Sequence, residues 1–175
     1  FQIVIDCMTI DIKLYRNYLE SNRLFIGWNL KFDLKFLYHQ RIVPRRVYDG
    51  YLAEKLMWLG YPPGMHSLSL KTAGETYSGV ELDKSVRGKI IWAGLETDVV
   101  KYAANDVTYL EEIMNKQLKL LKDKGLEVAI DYENRFVLPL AYMEYCGVKL
   151  DVEKWKQKMK TDLERELIAK KACDD

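Results

Sequence analysis

The sequence has little cysteine and little proline. Cys7, Cys146 and Cys173 are the three cysteines, scattered and without a CxxC pair. That excludes a disulfide-stapled scaffold and a thiolate zinc site, and points to free thiols in a reducing compartment. Four prolines and ten glycines in 175 residues exclude collagen-like and low-complexity chain. His39 and His66 are the two histidines, so a histidine triad or imidazole metal site has little to build from. There is no Walker loop, GxGxxG, HExxH or nucleophile elbow. No apolar stretch approaches the roughly 20 residues of a membrane span. Lys plus Arg number 27 against 26 Asp plus Glu, a net charge of +1, so bulk electrostatics do not argue for a polyanionic partner. No secretory leader is visible, and a chain that opens on Phe1 is expected to start partway into a longer protein.

What is present suits a folded domain with a small appendage. Apolar residues make up 49% and charged residues 30%, far from a disordered composition. A chain of this length buries roughly 70% of its unfolded surface and needs no metal or disulfide to fold. Residues 1–8, FQIVIDCM, predict a buried strand. Ile10, Leu14, Tyr15, Tyr18 and Leu19 recur at helical spacing, stopped by Ser21-Asn22. Leu24 to Trp28 predicts a second strand, and Leu30, Leu34 and Leu37 one row of a helix, with Phe36 beside it. Arg46-Val47-Tyr48 predicts a third strand. Asp49 is placed to cap the helix carrying Leu52, Leu56 and Leu59. Strand alternating with helix is the grammar of an α/β domain with a mixed or parallel sheet.

The punctuation then changes. Tyr61-Pro62-Pro63-Gly64 predicts a loop, and Ser67 the cap of a helix over 67–77. Residues 79–94 read as irregular. Thr97 to about Lys124 is helical in pattern, closed by Gly125. Residues 127–146 predict a helix interrupted near Pro139, and Asp151 starts a last, highly charged helix whose packing partner is expected beyond Asp175.

Carboxylates are the chemistry that remains. In Gly27-Trp28-Asn29-Leu30-Lys31-Phe32-Asp33, a strand ends at Asn29 and Asp33 follows one helical turn later. Positions i and i+4 share a face, at the strand edge where α/β sheets place their sites. In Tyr102-Ala103-Ala104-Asn105-Asp106 a phenol and a carboxylate share a helix face, with small neighbours that allow close packing. Taken singly, Asp33 also suits a first-turn acid favoured by the helix dipole, and Asp106 a solvated helix residue.

Together and in this order, the two segments resemble the second and third motifs of the DEDD 3′–5′ exonucleases, tyrosine subclass. Their separation is similar to that in the proofreading domain of family A DNA polymerases. Leu82-Asp83-Lys84-Ser85 to Trp92, with Tyr102 onward, also resembles ribonuclease D. Glu133, Pro139-Leu140, Met143-Glu144 and Gly147-Val148-Lys149-Leu150-Asp151 resemble instead the passage from exonuclease to polymerase thumb. The resemblance implies a ribonuclease H-like α/β fold over 1–125, and a helical linker and thumb start over 126–175. It implies hydrolysis of the terminal phosphodiester of single-stranded DNA by two Mg²⁺ or Mn²⁺ ions, in a cytoplasmic polymerase whose polymerase module is the partner. Asp106 would ligate the ion that activates water, Tyr102 would orient that water, and Asp33 would hold the second ion. Asn29 would fix the strand–helix junction or touch substrate, His66 is a candidate substrate contact on the same analogy, and Lys31 is a candidate phosphate contact because it flanks the second motif.

The family's first motif, Asp-x-Glu on the first strand, has no match before Asn29. Asp131-Tyr132-Glu133 and Asp151-Val152-Glu153 come too late unless the fold is permuted, so the motif is expected upstream of Phe1 and the chain alone is expected to bind metal poorly. His39, Arg41, Arg45 and Arg46, with Lys31 and Lys35, either meet phosphates or are ordinary surface. Trp28 or Phe32 would stack on bases, or Phe32 and Phe36 are core. Two other readings stay open: a decayed exonuclease fold kept as a DNA-holding scaffold, and a ribonuclease D-like RNA trimmer.

Overall fold

Phe25-Ile26 and Val47-Tyr48 are apolar at consecutive positions, and consecutive strand residues face opposite sides of a sheet. Both faces of such strands must therefore be covered. The computed structural model, which describes residues 2–81 and 94–174, meets that demand. Strands β1 (Leu24–Gly27) and β2 (Arg46–Asp49) pair in parallel. Their register sets Phe25 beside Val47, Ile26 beside Tyr48 and Gly27 beside Asp49.

The helices of this first unit, in order, are α1 (Arg16–Leu19), preceded by a 3₁₀ turn over Ile12–Tyr15, then α2 (Lys31–His39), α3 (Gly50–Met57), α4 (Leu70–Ala73), which runs into a π-helical turn over Gly74–Ser78, α5 (Thr97–Thr108), α6 (Leu110–Asp123) and α7 (Glu127–Cys146). On one face of the sheet, Phe25 and Val47 pack with Leu30, Leu34 and Tyr38 of the α2 region and with Val137 and Ala141 of α7. On the other, Ile26 and Tyr48 pack with Ala53 and Met57 of α3, Leu121 of α6 and Ile130 of α7. α7 thus serves both layers. Each large aliphatic side chain buried in this way contributes about 1.5–3 kcal/mol.

The chain divides into two compact units, Phe1–Tyr145 and Cys146–Asp175. The second unit consists mainly of α8 (Val152–Asp174). As expected, Asp151 caps it, accepting the Lys154 N–H at 3.1 Å. Ion pairs such as Lys158–Asp162 and Lys170–Glu166 line its surface. Among the described residues no helix is long and apolar enough to cross a membrane.

Several sequence expectations are corrected. Residues 2–6 form no strand; Ile3, Val4 and Met8 are exposed. A β-branched run becomes a strand only when a neighbour takes up its N–H and C=O groups, and among the described residues the sheet is β1 and β2 alone. The helix expected over 10–21 shrinks to one 3₁₀ turn and one α turn, with Leu14 and Tyr18 exposed.

The cap before α4 is Ser69 rather than Ser67; its side chain accepts the Thr72 N–H. The helix over 97–124 is two helices meeting at Tyr109. There the Thr108 hydroxyl donates to Ala104 O at 2.9 Å, an i−4 bond of the kind that bends helices. Pro139 does not interrupt α7. Val137 and Ala141 on either side of it are locked in the core, and the Tyr38 hydroxyl donates to Leu138 O at 3.0 Å. The gain from that packing outweighs the one helical hydrogen bond that proline removes.

The close of α6 needs glycine, as the sequence anticipated. Gly125 adopts φ 68°. Its N–H bonds Lys122 O, and the Leu126 N–H bonds Leu121 O at 2.8 Å, which is the Schellman pattern. The turn drops Leu126 onto the second hydrophobic layer.

Because Leu34 is 1% and Phe36 63% exposed, Leu34→Ala is expected to lower unfolding free energy by about 2–5 kcal/mol. Phe36→Ala is expected to stay within about 0.5 kcal/mol. Urea midpoints measure both, and equal losses would contradict this assignment of the core.

Candidate active site

The site grows from the C-terminal ends of the two strands. Gly27 closes β1 against the Leu30 side chain, which a Cβ at this position would strike. Two residues later Asn29 takes φ 57°, a left-handed conformation that asparagine tolerates better than most residues. The chain reverses there and enters α2.

What holds the reversal is Asp49, 2% exposed at the end of β2. Its Oδ1 accepts the Asn29 N–H at 2.8 Å and its Oδ2 the Leu30 N–H at 2.9 Å. Oδ1 also accepts the Tyr51 N–H at 3.0 Å, so the same carboxylate caps α3 as the sequence expected. Burial pushes the Asp49 pKa up, while backbone N–H donors at Asn29, Leu30, Tyr51 and Leu52 pull it down. Asn134 of α7 accepts the Asp49 N–H at 2.8 Å, tying this junction to α7.

Asp33 lies in the first turn of α2. The residue is exposed, yet crowding of its carboxyl pushes the pKa up, opposed by its own backbone N–H. The face-sharing argument for Asn29 and Asp33 does not hold, because Asn29 precedes the helix in a left-handed turn. Lys31 and Lys35 both reach Glu144 of α7, at 2.6 and 3.2 Å, and hold its carboxyl below the usual range. A phosphate at Lys31 would compete with that carboxylate. Phe32 and Phe36, set between core and stacking roles on sequence, are exposed and packed edge to face, 5.2 Å between centroids. Tyr102 and Asp106 are half-buried one turn apart on α5, and both are engaged in interactions.

His66 belongs to a network that sequence reasoning missed. Its Nε2 lies 2.9 Å from Glu54 Oε2, and its ring stacks on Trp58 at 4.2 Å. Glu54, 1% exposed on α3, also accepts from the Tyr77 hydroxyl and, at 3.1 Å, from Gln117 Nε2. Gln117 Oε1 in turn accepts from Tyr48 Oη at 3.1 Å. Burial, then hydrogen bonding and charge from Glu54, pushes the Tyr77 phenol up; burial, then the charges of Glu54 and Asp49, does the same to Tyr48. The detectable signal was a charged residue on the apolar side of a helix, at Glu54 among Leu52, Ala53, Leu56 and Met57.

Asp33 and Asp106 offer the hard carboxylate oxygens that Mg²⁺ and Mn²⁺ prefer. In kind the donor set suits those ions. In number it falls short: among the described residues no three of His, Cys, Asp and Glu gather closely enough to hold a metal. The two late Asp-x-Glu triplets do not supply one, since Asp131 pairs with Arg135 at 2.9 Å and Asp151 caps α8. The ribonuclease D-like stretch Leu82 to Trp92 lies outside the described residues.

Comparison with known proteins adds two findings. A family model described as 3′–5′ exonuclease matches residues 2–122. DNA polymerase I of Aquifex aeolicus (strain VF5) is 35% identical over 184 aligned residues, covering 93% of this chain and 30% of that polymerase. The chain therefore spans less than a third of that relative's length.

Replacing Asp49 with asparagine turns one acceptor oxygen into a donor facing a backbone N–H. Asp49→Asn is expected to cost about 1–3 kcal/mol in urea unfolding, the scale of a buried unsatisfied pair. An unchanged midpoint would show that the carboxylate does not hold the Asn29-Leu30 turn.

Proposed function

The chain belongs to the 3′–5′ exonuclease domains of family A DNA polymerases, and on that premise we propose that it removes the terminal nucleotide from a single-stranded DNA 3′ end. The observation that carries this reading is the pinned turn at Asn29-Leu30. It sets Asp33 in the first turn of α2, beyond the C-terminal end of a parallel strand pair, which is where α/β folds place their chemistry.

The architecture is read as the core of a ribonuclease H-like exonuclease fold, supported by the parallel β1–α2–β2 unit. Residues 1–125 are assigned to the exonuclease domain. Residues 126–175 are assigned to a helical linker and the start of a polymerase thumb, and the partner is the polymerase module of the same polypeptide. Asp33 and Asp106 are the residues that would hold Mg²⁺ or Mn²⁺, ions that when bound supply the positive charge phosphodiester hydrolysis needs. Tyr102, one turn before Asp106, would orient the attacking water through its phenol. Asn29 would meet the substrate at the strand–helix junction. Lys31 would contact a phosphate by exchanging Glu144 for it, and His66, whose Nε2 is engaged by Glu54, would meet substrate through Nδ1. Proofreading of a frayed primer end is the biological task of such a reaction.

One observation favours a second reading, an exonuclease fold kept as a DNA-holding scaffold: among the described residues no three acids, histidines or cysteines gather into a group that could hold a metal.

The test follows 3′ shortening of a 5′-labelled single-stranded DNA with Mg²⁺ or Mn²⁺. It compares the chain alone, the chain extended upstream into its gene, and the extended chain carrying Asp106→Ala. The extended protein is expected to shorten the strand, and Asp106→Ala to slow it by at least about 100-fold, the scale of losing one preorganised charge. An extended protein that binds DNA but leaves its 3′ end intact would replace the exonuclease reading with the scaffold one.

A further inference from the structure

Arginine is unevenly distributed in this chain. Arg16, Arg23, Arg41, Arg45 and Arg46 fall within 31 residues, leaving Arg87, Arg135 and Arg165 for the rest. The fold brings the five to one place. Register pairs Leu24 with Arg46, so Arg23 stands abreast of Arg45 where the two strands begin. Arg41 lies in the α2–β2 loop that leads to Arg45, with φ 59°. Arg16 of α1 anchors that loop, its Nη2 donating to Gln40 O at 3.3 Å. The nearby acid Glu20 is spent on the same loop, accepting the Val43 N–H at 3.0 Å.

Among the described residues these side chains are outside any ion pair, as are lysines such as Lys55, Lys119 and Lys160, and differ from the lysines held in ion pairs. Lys31, Lys35, Lys71, Lys116 and Lys158 each have a carboxylate partner. Among the described residues none of the five arginines does, and Arg23, Arg41, Arg45 and Arg46 are exposed. Arg23 rests over the Tyr18 ring, 4.7 Å from its centroid, which holds its stem without neutralising it. Arg45 and Arg46 open onto a groove of about 680 Å³. Its far wall carries Glu127 and Asp131, the latter occupied by Arg135 at 2.9 Å.

We propose that this arginine edge is a second nucleic-acid contact, gripping backbone phosphates at the end of the sheet opposite Asn29 and Asp33. Guanidinium groups present a planar fork that matches phosphate bidentately, and arginine is the residue of choice where phosphate is recognised by geometry as well as charge. The strands are four residues long, roughly 10 Å from end to end at the usual rise. A nucleic-acid strand that reaches the Asn29 junction is therefore close enough to lie along this edge too. The choice of nucleic acid over an acidic protein rests on the exonuclease reading; the exposed, carboxylate-free arginines do not.

Binding of fluorescent single-stranded DNA to the full 175-residue chain tests this in EDTA, from about 50 to 200 mM salt. Each phosphate contact contributes about 0.7 to the slope of log K against log salt on single strands. Arg45→Gln/Arg46→Gln is expected to reduce the slope by about 1.4 and to weaken binding about tenfold at the lower salt. Lys156→Gln/Lys158→Gln on α8 is expected to change neither. If the arginine pair fails to fold, Arg23→Gln and Arg41→Gln carry the test, with a slope loss of about 0.7 each.

Unchanged slope and affinity in the arginine variants would overturn the proposal. Polyglutamate displacing the probe as well as unlabelled DNA of equal charge would also overturn it, in favour of an acidic protein partner. Hydrolysis plays no part in these measurements, so an inert nuclease with an intact arginine effect counts against the exonuclease reading alone.

Discussion

The Asp49 carboxylate is the interaction on which the rest of the structure turns. It ends β2, caps α3, and takes the N–H groups of Asn29 and Leu30 where the chain leaves β1. Three separate pieces of backbone converge on one buried group. An ionised carboxylate is costly to bury, but here each bond is charge-assisted and about twice as strong as a neutral one. The left-handed turn at Asn29 carries a strain of about 1–2 kcal/mol, which those bonds offset. Without this anchor, Asp33 would begin a helix whose direction nothing fixed.

α7 is the second constraint, and it works on the same junction from outside. Asn134 holds the Asp49 N–H, Leu138 O accepts the Tyr38 hydroxyl, and Glu144 gathers Lys31 and Lys35. One helix therefore restrains the strand end, the body of α2 and its first turn. Its apolar residues enter both layers beside the sheet, so the polar contacts are held by packing and not by the exposed pairs alone. The Glu54 network does the corresponding work on the opposite layer, joining α3, α6 and the loop that carries His66. Such buried networks are costly when half-satisfied and specifying when complete.

Much of this was legible in the residues. β1, α2, β2 and α3 follow from apolar runs and helical rows, the Asp49 cap from its position before α3, and the Gly125 stop from a glycine ending a periodic run. The two segments that suggested exonuclease chemistry are short and local, and it was their combination and order, through resemblance to a known family, that set them apart from ordinary helix pairs. Failures came where local pattern met a missing or unexpected neighbour. Residues 2–8 have strand composition but, among the described residues, no strand to pair with. Pro139 sits in a helix that core packing carries past it, and Thr108 bends a run whose periodicity never breaks. Glu54 stands out locally as a charge on an apolar helix side, but nothing local marks that its partner is Gln117, 63 residues further along the chain.

By itself the sequence determined the α/β alternation, the family, and the residue types available for chemistry: carboxylates, the phenol of Tyr102 beside Asp106, and very little histidine. These depend on propensity, periodicity and motif order, all properties of neighbouring residues. The tertiary structure decided which of those residues are held and by what. It placed Asp49 behind the Asn29 turn, set Glu144 on Lys31, enclosed His66 against Glu54, and left a row of arginines on one edge with no ion-pair partner among the described residues. Those outcomes depend on which distant groups share a desolvated space, and hydrogen bonds and charges gain their strength only once folding has removed the water between them.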